Sequence, residues 1–399
     1  MSITMPTTQT ELRLAQRMSR LGTETAFEVL VRARALEKQG RNIIHLEIGE
    51  PDMDTPANVV EAGVNALRHG YTHYGPAAGL PELREAIAAH TSHSRGIKVS
   101  PEEVVIVPGG KPIIFFTMLA LVEEGDEVIY PNPGFPIYES MINFLSAKPV
   151  PVPLREQRDF RLDVDELASL ITDRTKLIIL NSPQNPTGGI ITKEDVEDIA
   201  RAIGDRDIMV LSDEIYSRLT FEGEPYSIAS VDGFKDRTII LTGFSKTYSM
   251  TGWRLGYGVM RPDLAQQFAR LQTNSTSCTA TFTQIAGVEA MRGDQSEPEK
   301  MRREFQRRRD VFVQGLNQIK GFSCRMPKGA FYTFPNIKQT GWPSKKLADA
   351  LLDDVGVAGL SGTAFGAYGE GHMRFSTANS IANLEAALDR IEQWTKKKL

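Results

Sequence analysis

The sequence of 399 residues has little of several features that define whole classes of protein. Two cysteines, Cys278 and Cys324, exclude a disulfide-stapled scaffold and favour reduced thiols in a cytoplasmic protein. The 46 basic and 50 acidic residues leave a formal net charge of −4, which argues against a nucleic-acid binder and against an acidic disordered protein. None of the six histidines has an H-E-x-x-H or similar spacing, so we predict no metal site.

Long hydrophobic runs are also missing. A membrane-spanning helix needs roughly 18 consecutive apolar residues, and the best candidate, residues 112–122, is shorter and contains Thr117. The N-terminus, MSITMPTTQTELRLAQRM, has no apolar stretch behind a basic start, so we expect no secretory signal. Its hydroxyls and charges indicate an irregular start that leads into a helix. We therefore predict a soluble, cytoplasmic protein without membrane partners.

Short apolar runs alternate with helical patterns through the middle of the chain. These runs are rich in β-branched residues, and each is followed by Pro, Gly, Asn or Asp: VVIV (104–107), EVIY (127–130), KLIIL (176–180), IMVLS (208–212) and TIILT (238–242). Apolar strands without polar alternation are typical of a sheet buried on both faces. Helices such as 193–203, which follows the N-cap candidate Thr192, separate the runs. We predict an α/β fold with a mostly parallel sheet and ligand binding at the carboxyl ends of its strands.

The C-terminal part has a different pattern, with shorter apolar runs and longer helices. We predict helices over 299–319, over 344–353 and from 381 onward, with short strands at 331–334, 356–360 and 373–376. This pattern favours a small α+β domain over 291–399, joined by an N-terminal arm and helix (1–48), beside a large domain over 49–290. The basic segment MRREFQRRRD (301–310) also contains acidic residues, so we expect a solvated helix face there and no nucleic-acid surface.

One lysine lies in a setting suited to chemistry. Lys246 belongs to GFSKTYSMTGWRLGYG (243–258), directly after a strand, which places an amine at the carboxyl edge of the sheet. Ser245 and Arg254 of the same segment can donate hydrogen bonds to a phosphate. Asp213 follows another strand, and a buried carboxylate there is costly unless it meets a cation. Capping of a helix N-terminus is the alternative interpretation of Asp213.

Eight motifs, in this order along the chain, resemble the class I/II aminotransferases, which are pyridoxal 5′-phosphate (PLP) enzymes of fold type I. They are GEPDMDTP (49–56), YGPAAGLPELREAIA (74–88), GGK (109–111), NPGFPIYE (132–139), NSPQNPTG (181–188), SDEIY (212–216), SKTYSMTGWRLGY (245–257) and MRFSTAN (373–379). The similarity runs from about residue 25 to about 390 and is greatest to the bacterial aspartate aminotransferase-like branch. It implies a mostly parallel seven-stranded sheet sandwiched by helices, plus the smaller α+β domain.

The resemblance also implies which groups react. Lys246 would join the PLP aldehyde through a Schiff base, with its pKa lowered by burial and by the nearby Arg254. Asp213 would hold the ring nitrogen protonated, so that the ring acts as an electron sink. Asn185 and Tyr216 would donate to the phenolic oxygen of the ring.

Further matching positions would bind the rest of the cofactor. Ser245, Arg254 and the backbone amides of Gly110 and Lys111 would hold the phosphate, because N–H groups at a helix N-terminus favour an anion. Phe135 would stack on the ring, at a position that is commonly Trp in the aspartate enzymes.

Substrate binding is implied by the same resemblance. Arg374, assisted by Gly49 and Asn185, would pair with the α-carboxylate of an amino acid. Lys111 matches a lysine that binds the distal carboxylate of acidic substrates, whereas Phe27 makes the pocket more apolar. We therefore expect acidic (aspartate or glutamate) or aromatic substrates.

The function implied is transfer of an amino group from an L-amino acid to a 2-oxo acid by a ping-pong route. Tyr74 resembles the tyrosine that reaches the phosphate of the neighbouring subunit, so a homodimer with active sites at its interface is expected. A PLP-dependent lyase, cyclase or β/γ-replacement enzyme on the same scaffold is the alternative, because fold does not fix the reaction. The sequence has no G-x-G-x-x-G turn after its first strand, which argues against a nicotinamide-dependent dehydrogenase.

Overall fold

The structure, a computed structural model, describes residues 12–399, and the first eleven residues of the expected irregular N-terminus lie outside the described residues. The helices are α1 (Thr25–Glu37), α2 (Ala57–Arg68), α3 (Pro81–Arg95), α4 (Lys111–Leu121), α5 (Ile137–Phe144), α6 (Val164–Leu170), α7 (Lys193–Ile203), α8 (Pro262–Ser275), α9 (Thr281–Arg292), α10 (Ser296–Leu316), α11 (Ser344–Val355) and α12 (Ile381–Lys398). The strands are β1 (Ile44–His45), β2 (Val104–Val107), β3 (Glu127–Asn132), β4 (Lys148–Pro153), β5 (Thr175–Asn181), β6 (Met209–Asp213), β7 (Thr238–Gly243), β8 (Gly256–Val259), β9 (Tyr332–Thr333), β10 (Val357–Ala358), β11 (Leu360–Ser361) and β12 (Met373–Ser376).

Seven of these strands form a central sheet in the order β2-β8-β7-β6-β5-β3-β4. Strand β8 runs antiparallel to its neighbours β2 and β7. The remaining neighbours pair in parallel. The α/β fold with a mostly parallel seven-stranded sheet is therefore confirmed.

Helices cover both faces of this sheet, as the uninterrupted apolar runs predicted. Along β2, Val105 and Val107 pack on one face with α4 and α8, and Val104 and Ile106 pack on the other with α3 and α9. Successive side chains of a strand point to opposite faces, so a strand buried on both sides needs an apolar residue at every position.

The residue patterns did not single out two strands of the sheet, β4 and β8. Strand β4 has the sequence KPVPVP and lies at the edge of the sheet, where proline is tolerated because its missing N–H need not join a ladder. Strand β8 has the sequence GYGV and lies between β2 and β7. A Cβ atom added to Gly256 would lie 2.6 Å from the carbonyl carbon of Gly109, so this close approach of two backbones requires glycine.

A smaller group of elements is built from both ends of the chain. Strands β9, β11 and β12 form an antiparallel sheet, and β1 pairs in parallel with β10. Ile44 and Leu46 pack in one core with Phe312 of α10, Leu351 of α11 and Trp394 of α12. The domain boundaries at residues 48 and 290 stay predictions.

The expectation that residues 301–310 form a solvated helix face is wrong for two arginines of this segment. Arg308 and Arg309 are buried in α10. Arg308 donates to Asp52 at 2.6 Å and to Glu304 at 2.9 Å, and Arg309 donates to Glu222 at 3.0 Å. Buried arginines need carboxylate partners, and two of these partners come from segments far away in the sequence.

Both cysteines are free thiols. Burial raises the pKa of Cys324 to about 12, so this thiol is an unreactive core residue. Within residues 12–399, no helix is long and apolar enough to cross a membrane.

Candidate active site

A cavity of about 520 Å³ opens at the carboxyl edge of the central sheet. Every predicted site residue except Tyr74 lines it: Gly49, Gly110, Lys111, Phe135, Asn185, Asp213, Tyr216, Ser245, Lys246, Arg254 and Arg374. Asn185, Asp213 and Lys246 come from the ends of the neighbouring parallel strands β5, β6 and β7. Strands that run in the same direction end at the same edge, so topology brings these side chains together.

Lys246 lies in the turn after β7, and its ammonium donates to the carbonyl oxygen of Gly49. Burial lowers the pKa of Lys246 to about 8. Among nearby charges, Glu50 opposes this shift and Arg374 adds to it. The effect of Arg254, the cation expected to do so, stays a prediction; Arg254 is exposed and its guanidinium donates to the Thr251 carbonyl at 2.8 Å.

Asp213 is the last residue of β6 and is only 5% exposed. Its Oδ2 accepts a hydrogen bond from the Tyr138 hydroxyl at 2.6 Å, and its Oδ1 accepts one from the Ile215 amide at 3.2 Å. Burial raises the pKa of Asp213 to about 6, and both hydrogen bonds act in the opposite direction. Among the described residues, the charge of Lys246 also lowers the pKa of Asp213, but it does not offset the effect of burial.

Tyr138 is a functional candidate that residue patterns missed. It lies in the first turn of α5, three residues after Phe135, and it is fully buried. It falls within the motif NPGFPIYE (132–139), so the sequence marked its segment without indicating its partner. Burial and the adjacent Asp213 raise the pKa of Tyr138 well above its usual value, so it donates the hydrogen bond.

Two tyrosines meet in the wall of the cavity. The hydroxyls of Tyr216 and Tyr332 are 2.7 Å apart, and burial raises the pKa of Tyr216 well above its usual value. Tyr332, in β9, was also missed, because an aromatic residue in the apolar run 331–334 gives no polar pattern. A Cβ atom added to Gly49 would lie 2.0 Å from the Tyr332 hydroxyl, so position 49 accepts only glycine.

Arg374, in β12, is a buried cation in the wall of the cavity. It donates to Asn185 Oδ1 at 3.2 Å and to the carbonyl oxygen of Glu47. Its guanidinium carbon lies 4.5 Å from the ring centroid of Tyr332 and 4.8 Å from that of Phe365. Its Nε has no hydrogen-bond partner among residues 12–399. A buried guanidinium with a spare N–H and no carboxylate partner suits an anionic ligand.

The start of α4 forms an anion cradle. Gly110 caps this helix, and Lys111 is its first residue, so their amides lack intrahelical acceptors. Gly109 has φ +83°, and a Cβ atom there would lie 2.1 Å from an Arg254 nitrogen. Glycine thus lets this backbone and the Arg254 guanidinium approach one another.

The backbone amide of Lys111 belongs to the anion cradle, but its side chain interacts with other groups. It forms an ion pair with Glu24, which immediately precedes α1. Its ammonium lies 5.8 Å from the ring centroids of both Phe27 and Phe135. Phe27 therefore contributes the apolar surface that the sequence predicted.

Tyr74 lies away from the cavity of its own chain. The residue is 89% exposed. A tyrosine that serves a neighbouring subunit would be exposed in a single chain, but its role stays a prediction.

The functional groups that line the cavity match the functional groups of PLP. The cofactor carries an aldehyde, a ring nitrogen and a phosphate, and the cavity has an amine of lowered pKa, a buried carboxylate of raised pKa, and an anion cradle. Fold and site together define the class of PLP-dependent enzymes of fold type I.

Comparisons with known proteins identify the family within that class. The model of the family "Aminotransferase class I and II" matches residues 41–391. The aspartate aminotransferase of Pyrococcus abyssi is 42% identical over 90% of this chain and 93% of its own length. Aromatic-amino-acid aminotransferase 2 of Thermococcus litoralis is 42% identical over 89% of this chain and 92% of its own length. The chain therefore belongs to the class I and II aminotransferases.

The fold comparison agrees. The structure of the Thermus thermophilus aspartate aminotransferase with maleate superimposes with a TM-score of 0.92, at 36% identity, over 96% of this chain and 100% of that one. Members of the family are PLP-dependent, so this chain is a PLP-dependent aminotransferase. These relatives are aminotransferases, which does not favour the alternative of a lyase, cyclase or replacement enzyme.

Proposed function

We propose that this enzyme moves the amino group of an acidic or aromatic L-amino acid to a 2-oxo acid, with both substrates using the cavity around Lys246 in turn. The observation that carries the proposal is that Lys246, Asp213 and Arg374 line one cavity. The names of relatives that act on aspartate and on aromatic amino acids support both substrate classes.

We propose that Asp213 holds the protonated ring nitrogen of PLP. Ser245, Arg254 and the amides of Gly110 and Lys111 would hold its phosphate. When bound, PLP supplies an electron sink that stabilises negative charge at the substrate Cα. Asp213 would thereby gain a cationic partner that offsets the cost of its burial.

Three further groups complete the proposed set around the ring. Asn185 and Tyr216 would donate hydrogen bonds to its phenolic oxygen, and Phe135 would cover its face. The side chains of Asn185 and Tyr216 already contact Arg374 and Tyr332 respectively, so each has a fixed orientation. Hydrogen-bond donors that already have a fixed orientation do not need to reorganise when charge develops on the group they bind.

Lys246 is the proposed acid and base that moves the Cα proton. Its pKa of about 8 leaves about a tenth of the amine uncharged at pH 7, and a base requires the uncharged form. Arg374, assisted by Gly49, would bind the α-carboxylate and so hold the Cα–H bond toward the lysine. Such orientation contributes several kcal/mol to lowering the barrier.

We also propose a homodimer in which Tyr74 of one subunit reaches the phosphate site of the other. The 89% exposure of Tyr74 supports a role outside its own chain. A cytoplasmic location remains our prediction from the sequence.

Reduction with borohydride followed by peptide mapping tests the assignment of the lysine. The purified enzyme should be yellow, and reduction should fix the chromophore on Lys246. A label on another lysine would contradict the assignment.

A screen of the twenty amino acids, one at a time, tests the reaction and the substrate class. Aspartate, glutamate or an aromatic amino acid should convert the bound cofactor to its amine form, and a 2-oxo acid should restore it. Continuous product release without an oxo-acid acceptor would contradict transamination.

A further inference from the structure

One ion pair in the cavity includes Glu24, a residue that has no part in the roles proposed above. Glu24 and Lys111 contact each other through their charged groups, and both line the cavity. The Glu24 side chain is 17% exposed and the Lys111 side chain 48% exposed. Glu24 occupies the N-cap position of α1, but its side chain makes no capping hydrogen bond. Its carboxylate is therefore available to the cavity and is not needed to hold the helix.

The surroundings of this pair are aromatic. The Lys111 ammonium lies 5.8 Å from the ring centroids of both Phe27 and Phe135. An apolar substrate side chain packed beside these rings would remove water from Lys111, and a desolvated ammonium without a partner is costly. Pairing with Glu24 keeps the charge of Lys111 compensated in that situation.

An acidic substrate side chain would interact differently with Lys111. Its distal carboxylate would meet an ammonium that already has a carboxylate partner. Two carboxylates at one ammonium repel each other, so the acidic side chain binds Lys111 more strongly when Glu24 gives up the contact. A glutamate that caps no helix can do so by rotating its side chain.

On the basis of the proposed function, we propose that Glu24 is a specificity-determining residue: it pairs with Lys111 while an apolar side chain is bound, and it releases Lys111 to the distal carboxylate of an acidic substrate. One ion pair is thus exchanged for another. The exchange lets one pocket receive side chains of both kinds in the two halves of a ping-pong reaction.

The variant Glu24→Gln tests this exchange in the PLP-loaded enzyme. Calorimetry should show that succinate, an unreactive dicarboxylate, gains affinity relative to 3-phenylpropanoate, an aromatic monocarboxylate, by about three- to tenfold. That factor corresponds to the contribution of about 1 kcal/mol expected of a partly exposed ion pair. The ratio of kcat/KM for glutamate to that for phenylalanine should rise by a similar factor.

Two further variants separate this role from a general change in charge. Glu28 lies exposed in the first turn of α1 and outside the cavity, so Glu28→Gln should leave the affinity ratio within about twofold of the wild type. In a Lys111→Ala background, Glu24→Gln should no longer change the ratio, since the two residues act as one pair.

An unchanged ratio in Glu24→Gln, with normal thermal unfolding, would overturn the proposal. So would the same shift in the Lys111→Ala background, because Glu24 would then act without Lys111. Failure of the proposed function would look different: no amino acid would convert the wild-type cofactor, while the two calorimetric titrations would still report on Glu24.

Discussion

The residue whose environment is most unusual is Asp213. It is buried at the end of a strand, and its partners in the structure are the Tyr138 hydroxyl and the Ile215 amide. Burial dominates, so the pKa of Asp213 is raised to about 6. Groups whose environment opposes their charged form are typical of functional sites, where a ligand supplies the missing interaction.

This environment predicts that Asp213 destabilises the enzyme without its cofactor. Because the folded-state pKa of about 6 exceeds the usual value of 3.8, the ionised carboxylate opposes folding. The penalty is fully present above pH 6 and disappears as the pH falls below about 4. At pH 7.5, Asp213→Asn should raise the free energy of unfolding of the apoprotein by about 1–3 kcal/mol, as measured by urea denaturation.

In the presence of cofactor, Asp213→Asn should lose its advantage in stability over the wild type. Addition of PLP should stabilise the wild type more than Asp213→Asn, and turnover of the variant should fall by about 10²- to 10³-fold, as expected when a buried charge pair loses one partner. Asp207→Asn, at a side chain that is 93% exposed, is the control and should change neither quantity. Equal stability of the two apoproteins at pH 7.5 would refute the predicted penalty.

At the scale of elements, the site depends on how closely β8 approaches the turn between β2 and α4. A Cβ atom at Gly256 would lie 2.6 Å from the carbonyl carbon and 2.8 Å from the carbonyl oxygen of Gly109. Both are backbone atoms of the anion cradle, so they cannot move aside as a flexible side chain would. The cradle and the sheet therefore constrain each other.

Gly256→Ala should lower the free energy of unfolding by about 1–3 kcal/mol, the usual cost of overpacking. It should also weaken PLP binding, because the start of α4 must shift. Gly252→Ala is the matched control for stability, since a Cβ atom there meets nothing within 4 Å. Thermal unfolding of the two variants should differ, and equal midpoints would show that the cradle can relax.

At the scale of the whole molecule, the proposed site is completed by a second subunit. Mixing two inactive variants, Tyr74→Ala and Lys246→Ala, tests this arrangement. A mixed dimer has one site with both lesions and one intact site that combines Lys246 of one chain with Tyr74 of the other. Random assembly should therefore restore about a quarter of the wild-type sites.

Activity at limiting PLP, measured after co-expression, would reveal this recovery. Each variant expressed alone is the control. Activity no greater than the sum of the two controls would contradict a shared site.

The sequence predicted the site residues best where these residues follow the ends of strands. The ends of β5, β6 and β7 can be located from local apolar runs, and the parallel direction of these strands then brings Asn185, Asp213 and Lys246 to one edge. The sequence was a poor predictor of residues whose role depends on partners far away in the chain. Tyr138 lies 75 residues from Asp213, and no local pattern connects them.

By itself, then, the sequence determined the α/β fold, the family and the segments that surround the cavity, because these follow from short-range periodicity and from motifs of fixed spacing. Only the tertiary structure decided that Arg374 acts on the pKa of Lys246, that two arginines of α10 are buried, and that Glu24 pairs with Lys111. The physical reason is that burial and charge pairing depend on distances between segments far apart in the chain, and packing alone sets those distances.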